Sequence, residues 1–337
     1  LVSWEKAGKQ NYGLDFSILD EHLSGSFDYF IEKRHDILTT RNTAPNFIAI
    51  TMPVVNIGKV DNKGFELVLK WNHSIGDFKY WINGNLSYAK NKIVYKDEIP
   101  HKYPWLYETG QSVGQPFGFI FDGFVTEADL ESGKLPDHKL DLKPGDAKYK
   151  DLNGDGKITD EDQTFLGYPN QPEITYGFGF SAGYKGFDLS MFFQGNARVS
   201  FFIDPRNTSP FVNYDAGDRI GVQQCLDVIA NDHWSENNRD IYAFWPRLSP
   251  TLVDNNMVTS TWWMHDGSFL RLKTVELGYT FSQKALKKIG VQSLRLYLTG
   301  SNLLTFSKFK LWDAEMGNNG LGYPIQRVYN LGININF

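Results

Sequence analysis

The sequence predicts an all-β chain that forms part of the wall of an antiparallel transmembrane β-barrel. Three observations lead to this fold class. Aromatic side chains make up 15% of the 337 residues, and 31 residues are glycine. Several segments of about ten residues alternate between apolar and polar side chains, which is the pattern of a strand with one face to lipid and one to a wet lumen. The connections between these segments alternate between short and long.

The C-terminal segment shows the alternation most clearly. Every second position is apolar, namely Tyr329, Leu331, Ile333, Ile335 and Phe337. Successive side chains of a strand point to opposite faces, so we expect this set to face lipid and Asn330, Asn334 and Asn336 to face the lumen. A strand of a soluble sandwich would also alternate, but a final aromatic at the C-terminus resembles the assembly signal of outer-membrane barrels.

Connection lengths separate a barrel from a sandwich. We predict nine strands, at 11–20, 24–33, 57–72, 77–91, 172–184, 186–194, 267–281, 291–302 and 326–337. Short connections at 21–23, 73–76, 185 and 282–290 alternate strictly with long ones at 34–56, 92–171, 195–266 and 303–325. Outer-membrane barrels place short turns in the periplasm and long loops outside, whereas a sandwich seldom carries two such long loops.

This topology predicts an incomplete barrel. With the C-terminus in the periplasm, both the first and the last predicted strands run inward, so the chain enters from outside. Single-chain bacterial barrels have even strand numbers and begin at the periplasm. Nine strands alone would leave two unpaired edges in lipid, where unsatisfied backbone groups are costly. We therefore expect an odd number of further strands from another stretch of polypeptide.

Composition and motifs exclude other classes of protein. The formal net charge is −5 with no basic cluster, which argues against a nucleic-acid partner. The single cysteine, Cys225, allows no disulfide framework. The N-terminal residues have no signal-peptide pattern. Seven scattered histidines lack metal spacing, and no pair of carboxylates or activated nucleophile is recognisable, so we expect no enzyme.

Five blocks of sequence carry a resemblance that extends over essentially the whole chain. They are NIGKVDNKGFELVLKW at 56–71, the segment from GDAKYKD to FFQG at 145–195, WWMHDGSFLRLKTVELGYTF at 262–281, LRLYLTGSNLLTFSKFKLWDAEM at 294–316 and YPIQRVYNLGININF at 323–337. In their order and spacing these blocks resemble the C-terminal barrel region of SusC-like (RagA-like) TonB-dependent outer-membrane transporters.

The resemblance implies a barrel of about 22 strands in the complete protein, of which residues 1–337 would supply about 9 to 10. It further implies a plug domain and a TonB-contacting segment in the N-terminal part of the protein, and a SusD-like surface lipoprotein as partner. The complement would then contribute about thirteen strands and pair with strands 11–20 and 326–337.

One acidic segment has the spacing of a calcium loop. Residues 151–162, DLNGDGKITDED, lie in the predicted external loop region 92–171. Alternate oxygen-bearing residues, a glycine at the turn and a carboxylate at the twelfth position are what Ca²⁺ requires. The expected ligands are Asp151, Asn153, Asp155, the carbonyl of Lys157, and Asp162. Aspartate stands where an EF-hand has glutamate, and an acidic turn that caps backbone N–H groups is the alternative.

Aromatic residues crowd the predicted external loops. Rings of this kind can stack on sugars, and the candidates for substrate contact are Trp105, Tyr107, Trp245 and Trp263. A membrane-interface girdle and ordinary loop packing use the same residues.

The sequence thus leads to two hypotheses of function. The first is energy-coupled import of a nutrient oligomer, a glycan or a peptide, through the outer membrane. The second is a non-transporting, calcium-stabilised surface β-protein in adhesion or structure. A plug and a TonB-contacting segment upstream of Leu1 would distinguish them.

Overall fold

The computed structural model describes residues 2–43, 54–210, 225–286 and 290–337, with residues 284 and 285 described by their backbone only. The strands in these residues are β1 (Lys6–Ile18), β2 (Leu23–Thr39), β3 (Val55–Ile75), β4 (Phe78–Tyr95), β5 (Phe117–Phe119), β6 (Phe121–Phe124), β7 (Ala147–Tyr149), β8 (Gln163–Phe165), β9 (Ile174–Tyr184), β10 (Phe187–Ala197), β11 (Ser200–Phe202), β12 (Met264–Asp266), β13 (Phe269–Thr280), β14 (Ser293–Ser307) and β15 (Val328–Asn336). The helices are α1 (Glu127–Ser132), α2 (Pro205–Thr208), α3 (Asp227–Asn231) and α4 (Gln283–Leu286). None of these described helices is long and apolar enough to cross a membrane.

Nine long strands form one antiparallel sheet in the order β1-β2-β3-β4-β9-β10-β13-β14-β15. Each strand therefore pairs with its neighbour in the chain, and the nine predicted strands are confirmed. Several strands extend beyond the predicted bounds at the long-connection end. For example, β2 continues to Thr39, because its pairing with β3 resumes after a register shift between Arg34 and Ile37 that disrupts the period of two.

The sheet is open. Within the described residues, β1 pairs only with β2 and β15 pairs only with β14, so both outer edges lack a partner strand. This confirms the prediction of an open wall. Unpaired backbone groups are costly in hydrocarbon, so both edges would need partner strands in a membrane.

The connections alternate as predicted. Short ones at 19–22, 76–77, 185–186 and 281–292 lie at one end of the sheet, and long ones at 40–54, 96–173, 198–268 and 308–327 lie at the other. The hairpin between β9 and β10 shows how the sequence makes a tight turn. Lys185 and Gly186 both have positive φ, at 47° and 91°, as a two-residue hairpin turn requires.

One face of the sheet exposes a continuous apolar surface. A typical row crosses four strands, because Leu189 pairs with Leu277, Leu277 with Leu298 and Leu298 with Leu331. The side chains of Leu298 and Leu331 are 50% and 79% exposed. The opposite face carries polar rows, such as that joining Asp28, Glu66 and Ser87. Such a large exposed apolar surface with a polar reverse side is typical of a wall between lipid and a wet lumen.

Candidate functional site

The long connections fold together at one end of the sheet. We call the described residues of three of these connections, 96–173, 198–210 with 225–268, and 308–327, the loop assembly. In it, β6 pairs with β7, β5 with β8, and β11 with β12. The connections 96–173 and 198–268 are also joined to each other. The Phe119 N–H donates to the Thr259 carbonyl at 2.9 Å, and the Thr261 N–H donates to the Phe119 carbonyl at 3.0 Å. The predicted loops therefore form a folded layer with its own hydrophobic core.

Two apolar clusters hold this layer. The buried residues of the first are Phe124, Ala147, Tyr149, Ile158, Trp234 and Ala243. The buried residues of the second are Ile203, Ile229, Trp245 and Trp263. The first cluster includes residues of the connections 96–173 and 198–268, so these two connections pack against each other.

Two of the four substrate-contact candidates lie in the second cluster. Trp245 and Trp263 are each 2% exposed, and their rings meet edge to face with centroids 4.9 Å apart. The indole N–H of Trp263 donates to the Asn256 carbonyl at 2.9 Å. A buried indole whose N–H is hydrogen-bonded, as in Trp263, is a core residue. A bound solute could reach them only if the cluster opened.

A buried polar network also joins the connection 96–173 to the connection 198–268. The Asp146 carboxylate is 1% exposed and accepts hydrogen bonds from Arg247 at 3.2 Å and from the Asn256 amide at 3.0 Å. The Asn256 side-chain oxygen in turn accepts from the Ala147 N–H at 2.8 Å. Buried charges of this kind are retained where they are paired and hydrogen-bonded. No sequence pattern joins residues about a hundred positions apart, so the network was not predicted.

The last connection, residues 308–327, is attached to the sheet by a buried arginine. Arg271 on β13 is 1% exposed and forms ion pairs with Asp313 and with Glu315, the latter at 3.0 Å. Its guanidinium also lies 5.2 Å from the ring centroid of Phe269. Removing one member of a buried ion pair leaves an uncompensated charge. This contact therefore fixes the last connection against a strand that it does not join.

The calcium-like segment 151–162 forms a closed loop through its own side chains. Asp151 accepts the N–H groups of Gly154 at 2.6 Å and Gly156 at 2.8 Å. Desolvation alone would raise the pKa of Asp151, but these backbone hydrogen bonds outweigh it and hold that pKa below its ordinary value. The carboxylate is therefore ionised at neutral pH.

The predicted closing carboxylate reaches back across the loop. Asp162 is fully buried and accepts the N–H groups of Leu152 at 2.9 Å and Thr159 at 2.8 Å. Asp155 accepts the Lys157 N–H, and Asn153 accepts the Asp155 N–H, both at 2.9 Å. Across the described parts of the chain, no three His, Cys, Asp or Glu side chains are gathered as a metal site. The oxygen-bearing side chains among the predicted ligands are the carboxylates of Asp151, Asp155 and Asp162 and the amide of Asn153.

The remaining aromatic candidates lie beside this loop and are partly exposed. The Trp105 indole N–H donates to the Glu161 carbonyl at 2.9 Å, and its ring stacks on Tyr103 with centroids 4.6 Å apart. The Tyr107 hydroxyl accepts the His101 N–H at 3.0 Å. Both side chains hold the segment 101–107 in place, so packing occupies part of each ring.

The same segment borders a cavity of about 840 Å³ at the long-connection end of the sheet. This is within the size range of small-molecule sites. It is lined by Asn42, Lys96, Glu98, Ile99, Pro100, His101, Lys102, Leu106, Glu108, Gly114, Gln115, Phe117, Asp160, Glu161 and Phe165. This cavity could not be predicted from the sequence, because its lining residues come from three separate segments.

From a buried histidine we predict that the stability of the loop assembly decreases at acidic pH. His138 is 8% exposed, its Nδ1 lies 2.7 Å from the Pro136 carbonyl, and its Nε2 accepts the Tyr149 N–H at 3.3 Å. Burial lowers the pKa of its imidazole. Because the folded pKa lies below the unfolded value of about 6.5, its contribution to stability is complete above that pH and decreases as the pH falls below it.

We expect the protection factors of residues 136–149, which correct for the slower intrinsic hydrogen exchange at lower pH, to decrease as the pH falls below about 6.5, and His138→Gln to reduce this dependence. Burial also lowers the pKa of His265, which remains in the variant and accounts for part of the residual slope. An unchanged slope in His138→Gln would refute the assignment.

Comparison with known proteins identifies the family. The family model described as TonB dependent receptor-like, beta-barrel, matches residues 3–334. The chain belongs to this family.

Relatives of this TonB-dependent receptor barrel match over its whole length. TonB-dependent receptor P3 of Formosa agariphila is 28% identical over 363 residues, covering 100% of this chain and 34% of the relative. TonB-dependent receptor SusC of Bacteroides thetaiotaomicron is 25% identical over 354 residues, covering 100% and 32% respectively. The chain therefore spans about a third of the length of these relatives, which are named as receptors, in agreement with the expectation of no enzyme.

The fold of this TonB-dependent receptor barrel also matches a solved structure. The RagAB peptide transporter aligns with a TM-score of 0.73 at 22% identity, covering 100% of this chain and 35% of the transporter chain. At this identity the match establishes the fold. It agrees with the expectation that residues 1–337 form part of a barrel wall.

Proposed function

We propose that the complete protein imports a nutrient oligomer through the outer membrane, and that residues 1–337 form part of its pore wall. The observation that carries this proposal is the open nine-strand antiparallel sheet, with one exposed apolar face and one polar face. Short turns at one end and a folded loop assembly at the other give the wall a periplasmic and an external side.

The proposal includes several partners. A further stretch of polypeptide supplies the missing strands and a plug, TonB supplies the energy, and a SusD-like lipoprotein covers the external side. The relatives named as TonB-dependent receptors, including SusC, and the structural match to the RagAB transporter support this arrangement. The missing strands would pair with the unpaired backbone N–H and C=O groups along the outer edges of β1 and β15.

The substrate class is an oligosaccharide or a peptide. The solved neighbour is a peptide importer by its description. A non-transporting surface protein is not favoured, since the relatives are receptors named for their dependence on TonB.

Uptake in cells tests the function. A strain that carries the complete gene should take up labelled oligomers only when TonB is present, and deletion of the gene should abolish that uptake. Equal uptake with and without TonB, or uptake unchanged by the deletion, would refute the import function.

We also propose that residues 151–162 bind one Ca²⁺ through Asp151, Asn153, Asp155, the Lys157 carbonyl and Asp162. Hard cations prefer such oxygen ligands. Asp162 supports the proposal, because its buried carboxylate accepts N–H and hydroxyl donors but has no cationic partner among the described residues. The ion would stiffen the loop: Ile158 belongs to the first apolar cluster, and its N–H donates to the Asp137 carbonyl at 2.8 Å.

Calorimetry on the complete protein should detect one Ca²⁺ per chain. Asp155→Ala should weaken binding at least tenfold and increase proteolysis of the loop, because it removes one charged ligand. Asp141→Ala provides the matched control, since Asp141 is an exposed acid of the same connection outside the loop. Absence of any Ca²⁺-dependent heat would leave the alternative of an acidic, backbone-capping turn.

A further inference from the structure

The cavity beside the calcium-like loop has an uneven distribution of charge. Four carboxylates line it, from Glu98, Glu108, Asp160 and Glu161, against two ammonium groups, from Lys96 and Lys102. With His101 neutral, the lining therefore carries a formal charge of −2. A cation gains from such a field, whereas an anion is repelled.

Most of these charges are already engaged. Lys96 pairs with Glu108, and Lys102 pairs with Glu161 at 3.3 Å. Glu98 accepts the N–H groups of Glu108 at 2.6 Å and Thr109 at 3.0 Å, so it holds the segment 108–109 in place.

Asp160 is the least engaged of the four acids. Glu98 also forms no ion pair among the described residues, but its carboxylate accepts three hydrogen bonds, from the Glu108 N–H and from the N–H and hydroxyl of Thr109. Its observed partner is a neutral one, the Gln163 amide, which donates to it at 2.9 Å. Within the described residues it forms no ion pair, and it is exposed at the cavity. Asp160 is also not one of the proposed calcium ligands. It is therefore the carboxylate of this cavity that can accept a cation from a ligand.

Apolar side chains also line the cavity. Ile99 is 55% exposed and Phe117 is 36% exposed, and the Phe117 ring lies 5.0 Å from the ring of Phe165. Exposed apolar side chains in a concave wall favour an apolar group of the ligand, and phenyl faces also attract cations. No tryptophan or tyrosine lines the cavity in the described part of the chain, so the rings that stack best on sugars do not contribute.

We propose that this cavity binds a cationic peptide segment, with a lysine, arginine or amino-terminal ammonium at Asp160 and an adjacent apolar side chain against Ile99 and Phe117. The inference rests on the proposed import function and specifies its substrate class. An uncharged oligosaccharide would gain no charge–charge attraction from the negative lining. An acidic peptide would be excluded by it.

Binding to the complete protein in detergent tests this site. The probes are the blocked tripeptides acetyl-Leu-Lys-Leu-amide and acetyl-Leu-Glu-Leu-amide, with a neutral trisaccharide as competitor. We expect the lysine peptide to bind at least tenfold more tightly at low salt, and the difference to shrink at about 0.5 M salt because exposed charges are then screened. Equal affinity for the two peptides, or displacement by the trisaccharide, would overturn the inference.

Variants locate the interaction. Asp160→Asn should weaken the lysine peptide about fivefold, as expected for one exposed charge pair, while Asp141→Asn should leave it unchanged. Ile99→Ser should weaken both peptides about threefold, whereas Leu140→Ser, at a side chain of similar exposure (54% against 55%), should not. If Asp160→Asn and Asp141→Asn behave alike, the site is not at Asp160. TonB-dependent uptake of another nutrient in the absence of peptide binding would refute this inference and leave the import function standing.

Discussion

Leu331→Arg should prevent normal assembly of the barrel. Leu331 lies in the middle of β15, is 79% exposed and belongs to the apolar row that it shares with Leu298. If that face contacts lipid, an arginine there costs about 2–4 kcal/mol near the membrane midplane. We therefore expect little folded, heat-modifiable protein in the outer membrane, measured by gel mobility and surface labelling.

The matched control is the neighbouring position on the other face. Asn330 donates to the Thr299 hydroxyl at 3.3 Å, and an arginine there would remain hydrated in a wet lumen. Asn334 is a weaker control, because it pairs with Arg295 and a second arginine would place like charges opposite each other. Equal surface levels of Leu331→Arg and Asn330→Arg would contradict the proposed orientation of the sheet.

Trp263→Ala should unfold much of the loop assembly while the sheet persists. The substitution removes a buried indole that contacts Trp245, and it leaves the Asn256 carbonyl without its 2.9 Å donor. Truncation of a buried tryptophan costs about 3–5 kcal/mol. We expect rapid proteolysis and fast hydrogen exchange within residues 225–268, with unchanged protection of β13 and β14.

Tyr242→Ala provides the control, since Tyr242 is 65% exposed in the same connection and its removal should change stability by less than about 0.5 kcal/mol. Trp263→Phe should recover part of the protection, because an aromatic ring again fills the site. If Trp263→Ala instead abolished ligand binding with unchanged protection, Trp263 would be a contact residue and its packing role would be secondary.

The sheet could be predicted from the sequence because its signal is local. Alternation such as that of Tyr329 and Leu331 with Asn330 follows directly from strand geometry, and the tight turn at Lys185 and Gly186 limits where strands end. The bounds of β2 were less accurate, because the register shift after Arg34 interrupts the period.

The loop assembly could not be predicted in the same way. Its contacts join residues far apart in sequence, as Asp146 with Arg247 and Arg271 with Asp313 show. Aromatic side chains that pack and aromatic side chains that bind a ligand look alike in a sequence. Only burial distinguishes Trp263, at 2% exposure, from an exposed ring such as Tyr242. The calcium loop had a recognisable spacing, and its metal binding stays a prediction.

The ion pairs of Arg271 fix the position of the last hairpin. The connection between β14 and β15 is attached to β13, one strand further into the sheet, through Asp313 and Glu315. The last hairpin is therefore fixed by contacts within the described residues. If a further strand pairs with β15, as proposed above, the register of this hairpin does not depend on it. In that case the wall would close by the addition of a strand to an edge whose position is already fixed.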